Sequence, residues 1–568
     1  MLTTLLVLAA APAPFTTVAE TSGWVKTGRY DEVETLCAEL PRRYAGKVRC
    51  EPFGVTPLGR KLLHFVVSHD GTFTPAQLQK KGRPVVLVQA GIHGGEIDGK
   101  DAGFWLIREL LDGKVGDGLL GKLTLVFVPV FNVDGHERMA PNNRPNQNGP
   151  AEMGWRVTSQ NLNLNRDYAK AEAPEMQAML ALLNRFDPVL YVDLHVTDGA
   201  KFQPDVAVLI EPRRGGAEAL KASGAELEAA VLKELEGKGH RPLDFYPSFS
   251  KDDDPTSGFA YGIPPPRLSN GYWNLKNRFV ALIETHSWKS YAERVKTTFD
   301  TCLALLSRAA LDAPKWQQAF AAADAADAQA AGKPVALLWD NTEHKVTVDF
   351  PGYAYKREDS TVSGTRWVRY DDSKPEVWKV PLFDELQPTV SLPAPKAGYV
   401  VPPPYAGPVG EKLKLHGFRF SVLGKPKQKV TVESFRAVEA KFKPAPYEGR
   451  MTVQVKGEWK ADQQDVPSGS LFVPVNQRGV ALLMNLLEPI GPDSLMSWGY
   501  FNAHLEQKEY MEGYIAEEVA REMLKDPQVK AAFEARLKAD PAFAKSPDER
   551  LRFFYVRHPS WDQNLNLY

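Results

Sequence analysis

The run Val85-Val86-Leu87-Val88-Gln89-Ala90 stops at Gly91, and His93 and Glu96 follow directly. An apolar, β-branched run closed by glycine is a buried strand running into a turn. A His and a Glu three residues apart on that turn share a side, so imidazole and carboxylate reach one metal ion. The feature demands a sheet that buries this strand and leaves its carboxyl end open. Alone the spacing is weak, because a chain with 11 His holds roughly one such pair by chance. Its weight comes from the residues downstream.

From Arg83 to about Lys289, short apolar strands alternate with helical stretches. Leu123–Phe131, Val189–Leu194 and Phe279–Ile283 read as strands, and Pro174–Arg185 has helical spacing. This alternation predicts an α/β fold, a mixed, mostly parallel sheet flanked by helices, with ligand sites at the carboxyl ends of the strands. Val295 to about Ala330 is Ala-rich and helical and closes the first domain. Beyond Lys333, the segments Val335–Trp339, Lys345–Phe350, Lys412–Leu415, Lys429–Glu433 and Met451–Val455 alternate with Pro- and Gly-rich turns. They predict a β-rich, sandwich-like module, followed by a helical tail from Leu505 to Arg552 broken at Pro527, Pro541 and Pro547. The 568 residues are too many for one core. The expected division is a leader at 1–21, a first domain at 22–330 and the β-rich module with its tail at 331–568.

Lys and Arg number 69 against 70 Asp and Glu, which gives no electrostatic reason to expect a nucleic-acid partner. No interior run approaches the ~18 uncharged apolar residues of a membrane span, so stable membrane insertion is not expected. Leu2–Phe15 is nearly uncharged and Leu/Ala-rich, with small residues near Val18 and Ala19, as in a signal-peptide core. Met1–Thr4 lacks the basic residues that usually precede such a core. The expected location is secreted or periplasmic. Cys37 and Cys50 suit either a local disulfide or buried thiols, and Cys302 reads as core; none forms a C-x-x-C pair.

A hydrolytic zinc takes three protein ligands and one water. His195, at the end of the Val189 strand, offers the third ligand after His93 and Glu96. Glu284, delivered by the Phe279 strand to the same edge, suits a general base beside the metal water. His286, two residues on, points the same way and suits a supporting contact. In Asn161-Leu-Asn-Leu-Asn-Arg-Asp-Tyr168, Asn165 and Arg166 suit a clamp for a free carboxylate, since guanidinium binds carboxylate through a planar fork. Arg156, after Trp155, presents a cation suited to an oxyanion.

In the order and spacing of these elements, residues from about 30 to 300 resemble the M14 zinc metallocarboxypeptidases. Asn132-Val-Asp-Gly135 also resembles that family's N-P-D-G turn. The resemblance implies a large bacterial-type member with a C-terminal extension. It implies one zinc on His93, Glu96 and His195, a base at Glu284, a clamp at Asn165 and Arg166, and an oxyanion group at Arg156, with Arg144 as the alternative. The sequence departs from the family where an acidic residue usually orients the first zinc His; Asn163 stands there, which supplies an acceptor without charge. The mobile tyrosine that covers substrate is assigned to Tyr261 in preference to Tyr272.

The expected activity is zinc-dependent removal of the C-terminal residue from peptides with a free carboxylate. An amidase or deacylase acting on N-acyl amino acids or cell-wall peptides would use the same chemistry in a different pocket. A peptide-binding module without catalysis is the third reading.

Overall fold

The structure, a computed structural model, describes residues 15–563 together with Leu565 and Leu567. Most of the expected leader, residues 1–14, lies outside them. Residues 15–21 are packed. Arg108 donates to the Phe15 carbonyl at 2.8 Å and pairs with Glu20 at 2.6 Å, while Ala19 is fully buried. A boundary at residue 21 therefore cuts behind a short capped helix, Val18–Thr21, that belongs to the fold.

The main sheet has eight strands in the order β1-β2-β4-β3-β5-β9-β6-β7. These are β1 (Val48–Val55), β2 (Lys61–Val67), β3 (Val85–Ala90), β4 (Thr124–Val128), β5 (Leu190–Thr197), β6 (Val206–Glu211), β7 (Pro242–Leu243) and β9 (Phe279–His286). A short β8 (Phe259–Ala260) lies outside this sheet. The central strands β4, β3, β5 and β9 run parallel, and β6 joins β9 antiparallel. Strands β3, β5 and β9 are buried at every position, which explains their unbroken apolar runs. Helices Asp98–Leu111, Glu218–Gly237 and Tyr291–Asp327 share one apolar core with them, through Ile107, Leu227 and Phe299 among others. Cys37, on helix Tyr30–Arg43, is disulfide-bonded to Cys50 on β1, while Cys302 is buried and free.

The chain forms two compact units. One runs through Pro426 and returns over Pro467–Ser494; the other comprises Lys427–Val466 and Leu495–Tyr568. The division expected near Ala330 is thus displaced. The long ribbon of β11 (Lys345–Asp359) and β12 (Arg366–Phe383), preceded by β10 (Pro334–Asn341), stays with the first unit. Strand β12 pairs with β8, and Phe350, Trp378, Val380 and Leu382 share a core with Phe202, Phe245 and Phe259.

The β-rich region is built of two- and three-stranded pieces rather than a sandwich. Lys412–Leu415, whose alternation suggested a strand, ends a helix, Pro403–Leu415. Proline at its first position starts that helix, and Val409, Gly410 and Leu413 bury a helical face. In the second unit, Pro527, Pro541 and Pro547 each open a helix, so the prolines read as breaks are N-terminal starts. No helix among the described residues is long and apolar enough to cross a membrane.

Candidate active site

The loop after β3 is held by backbone contacts that only glycine permits. Gly91 has φ +64°, and a Cβ on Gly94 would lie 2.5 Å from the backbone of Gly135 and His136. Gly94 instead donates to the Trp155 carbonyl at 3.1 Å. Asn132 accepts from the Gly135 amide at 2.9 Å and donates to the Arg156 carbonyl at 3.2 Å. The Asn132-Val-Asp-Gly135 turn thereby fixes the loop bearing His93 and Glu96 against the segment bearing Arg156.

His93, Glu96 and His195 converge, with one potential ligand atom from each within 4.8 Å of the others and all three residues buried. Glu96 Oε1 lies 3.0 Å from His93 Nδ1, and Oε2 lies 3.0 Å from His195 Nδ1. The outer nitrogens are occupied: His93 Nε2 meets Asn163 Oδ1 at 3.1 Å, and His195 Nε2 meets Asp193 Oδ2 at 2.9 Å. Burial holds His93 down at about 4, toward the neutral imidazole a metal requires. Burial opposes ionisation of Glu96 too, but His93 and Arg144 outweigh it and hold the carboxyl well below its usual range. Two imidazoles and a carboxylate, each supported from behind, fit the donor set of a catalytic zinc.

Glu284 stands directly across from His195 in the β5–β9 pairing and is buried at the same edge. Burial, with the Glu96 and Asp193 carboxylates behind it, raises its pKa. Arg156 and Arg144 both approach Glu96 Oε1, at 3.4 and 2.8 Å. Of the two, Arg156 lines the adjoining cavity, whereas Arg144 is buried beneath the loop. Asn165 and Arg166 line the cavity as well. Asn165 Nδ2 lies 3.4 Å from His195 Nε2, and Arg166 Nη1 donates to the Asn165 carbonyl at 2.6 Å.

His286 does not join the site. Its ring stacks on Phe202 at 3.9 Å, and neither nitrogen has a hydrogen-bond partner among the described residues. Tyr272 is buried on His416 at 2.9 Å. Tyr261 lines the cavity, but its hydroxyl donates to Asp244 at 2.8 Å and Arg214 lies on its ring at 3.5 Å. Tyr246 lines the same cavity as Glu284. Its hydroxyl is 3.3 Å from Thr197 Oγ1, and the Glu284 carboxylate is the largest influence raising its pKa. The sequence reading did not weigh Tyr246, which a long excursion through Pro255–Ser257 and β8 separates from Glu284. Asp193 went unassigned in the sequence reading, although an Asp two before a strand His shares its face and suits the ring's second nitrogen. The cavity encloses about 520 Å³.

Residues 33–204 match the sequence model of the family Peptidase_M14, zinc carboxypeptidase. No curated protein matches the chain. Among solved structures, the chain is similar to carboxypeptidase A from Helicoverpa armigera at 16% identity over 51% of this chain and 74% of that one, TM-score 0.37. It is similar to the metallo-carboxypeptidase from Burkholderia cenocepacia at 15% identity over 50% and 69%, TM-score 0.35. The Pseudomonas aeruginosa metallo-carboxypeptidase in complex with (2-guanidinoethylmercapto)succinic acid aligns at 18% identity over 49% and 68%, TM-score 0.34.

Proposed function

We propose, from a chain whose residues 33–204 match the zinc carboxypeptidase family, that this protein is an exported zinc exopeptidase that removes the C-terminal residue of peptides. The observation that carries the reading is the buried His93–Glu96–His195 cluster with Glu284 opposite His195, beside a cavity lined by Asn165 and Arg166. The disulfide between Cys37 and Cys50 supports an oxidising compartment.

Bound zinc supplies a Lewis acid and lowers the pKa of the attacking water. In the proposed reaction, Glu284 takes the proton from that water and passes it to the departing amine; its burial favours holding a proton between the two steps. Arg156 faces the oxygen that gains charge. Arg166, with Asn165, fixes the substrate's terminal carboxylate and sets which peptide bond reaches the water. Asp193 and Asn163 hold the two imidazoles in place through their outer nitrogens.

Two measurements test this reading. Metal analysis should find one zinc per chain, lost in His93→Ala. Peptides with a free C-terminus should be cleaved at least ~30-fold more efficiently than their amidated forms, because a fork contact on carboxylate is worth roughly 2–5 kcal/mol. Undiminished zinc in His93→Ala would remove the metal site, and equal cleavage of amidated peptides would favour an amidase or endopeptidase.

A further inference from the structure

The wall of the cavity leading away from Glu284 changes character in steps. In the β6–β9 pairing, Ala207 stands opposite Glu284, Leu209 opposite Leu282 and Glu211 opposite Val280. Alternate residues share a face, so each step moves about 7 Å along the same wall. The first step is the apolar Leu209–Leu282 pair, and both side chains line the cavity. Beyond it come Glu211 and then Arg214, with Asp244 and Tyr261 beside them, also lining the cavity.

At that end one oxygen of each carboxylate is taken up by neighbouring donors, and part of a guanidinium is left over. Asp244 Oδ2 takes Arg213 at 3.1 Å, Arg214 at 3.2 Å and the Tyr261 hydroxyl at 2.8 Å. Glu211 Oε2 accepts the Arg213 amide at 2.8 Å and so closes the turn after β6. Arg213 has a second carboxylate in Glu228. Arg214 meets Asp244 through Nη2 alone and sits over the Tyr261 ring at 3.5 Å; Nε and Nη1 meet no protein carboxylate or carbonyl among the described residues. Its side chain is only 16% exposed. A guanidinium anchored at one corner and seated over a ring keeps its other edge for a planar anion.

We propose that this end of the cavity recognises a carboxylate on the side chain of the residue being released, with Arg214 as the specificity-determining residue. The substrate class is then peptides ending in an acidic residue. Glutamate fits better than aspartate, because its added methylene spans more of the Leu209–Leu282 step. The inference rests on the exopeptidase reading above.

The test uses the zinc-loaded full chain and matched peptides ending in Glu, Asp, Gln, Leu and Lys. The peptide ending in Glu should exceed its Gln counterpart at least ~30-fold in kcat/KM. Arg214→Gln should bring that ratio close to one, and Arg214→Lys should restore part of it. A preference for Lys or Leu in the native chain, or an Arg214→Gln variant that keeps the ratio, overturns the proposal. Calorimetric binding of N-acetylglutamate against N-acetylglutamine separates the two readings. If no peptide is cleaved yet glutamate binding depends on Arg214, the acidic subsite stands and exopeptidase action fails. If glutamate and glutamine bind alike, the subsite itself fails.

Discussion

Glu284 and Glu175 are both buried carboxyls with raised pKa values, and their surroundings give them different meanings. Glu284 faces a cavity and a metal-type cluster, so its proton is available to a substrate. Glu284→Gln should retain zinc and lose at least ~10²-fold in turnover, which metal analysis beside a peptide assay measures; near-normal turnover would reject its role as base. Glu175 lies at the start of helix Pro174–Phe186, and both carboxyl oxygens are buried with no partner side chain among the described residues. Burial pushes it up to about 7. An acid with a raised folded pKa costs nothing below about pH 4, where folded and unfolded chains both hold the proton. The cost grows as pH rises through 4.5, where the unfolded chain ionises, and levels off above 7, where the folded chain ionises too. Glu175→Gln should therefore match the native protein at pH 4 and exceed its stability by on the order of 2 kcal/mol at pH 8, read from denaturant midpoints. A gain of the same size at both pH values would mean that ionisation is not the cause.

At the scale of elements, legibility followed whether the signal was local. The β3, β5 and β9 strands show as unbroken apolar runs because both faces are covered, and each delivers its site residue at or just beyond its carboxyl end. Asn165 and Arg166, which line the cavity, stood out in the sequence through their donor chemistry and their place in a family-like order rather than through any local periodicity. Tyr246 and Arg214 did not, because their positions depend on a long excursion and on the turn after β6, which no periodicity encodes. The Pro403–Leu415 helix was missed because its buried face is narrow and Lys412-Leu-Lys-Leu415 alternates like a strand. The Cys37–Cys50 pairing stayed open in the sequence because spacing alone does not bring a helix residue to a strand; Cα atoms 5.3 Å apart do. Its loop spans a sequence separation of 13, so replacing both cysteines with serine should cost about 3 kcal/mol of unfolding free energy. Equal denaturation midpoints for the variant and the oxidised native protein would show that the link constrains nothing.

At the scale of the first unit, the β11–β12 ribbon backs the wall of the candidate site rather than forming an appended module. Phe245 and Phe249, which line the cavity beside Tyr246, pack in the cluster formed by Phe350 and Trp378. Trp378 is 5% exposed, stacks on Phe350 at 5.7 Å and donates to the Tyr353 carbonyl at 2.9 Å. Tyr246 is thus carried on a loop whose apolar backing comes from residues about a hundred positions later. A chain ending at Ala330 would expose Phe202, Phe245 and Phe259 together, and it should aggregate or lose peptide cleavage. The point variant Trp378→Ala separates support from simple folding. Removing a buried tryptophan typically costs 3–5 kcal/mol locally, and here that loss loosens the loop of Tyr246 while the β3 and β5 strand ends remain intact. Trp378→Ala should keep its zinc and lower kcat/KM at least ~10-fold, because the residues proposed to hold the metal sit at the strand ends of the central sheet and this part of the cavity wall does not. Unchanged kcat/KM with full zinc would show that the ribbon is dispensable to the site. Loss of zinc along with activity would show instead that the cluster holds up the central sheet.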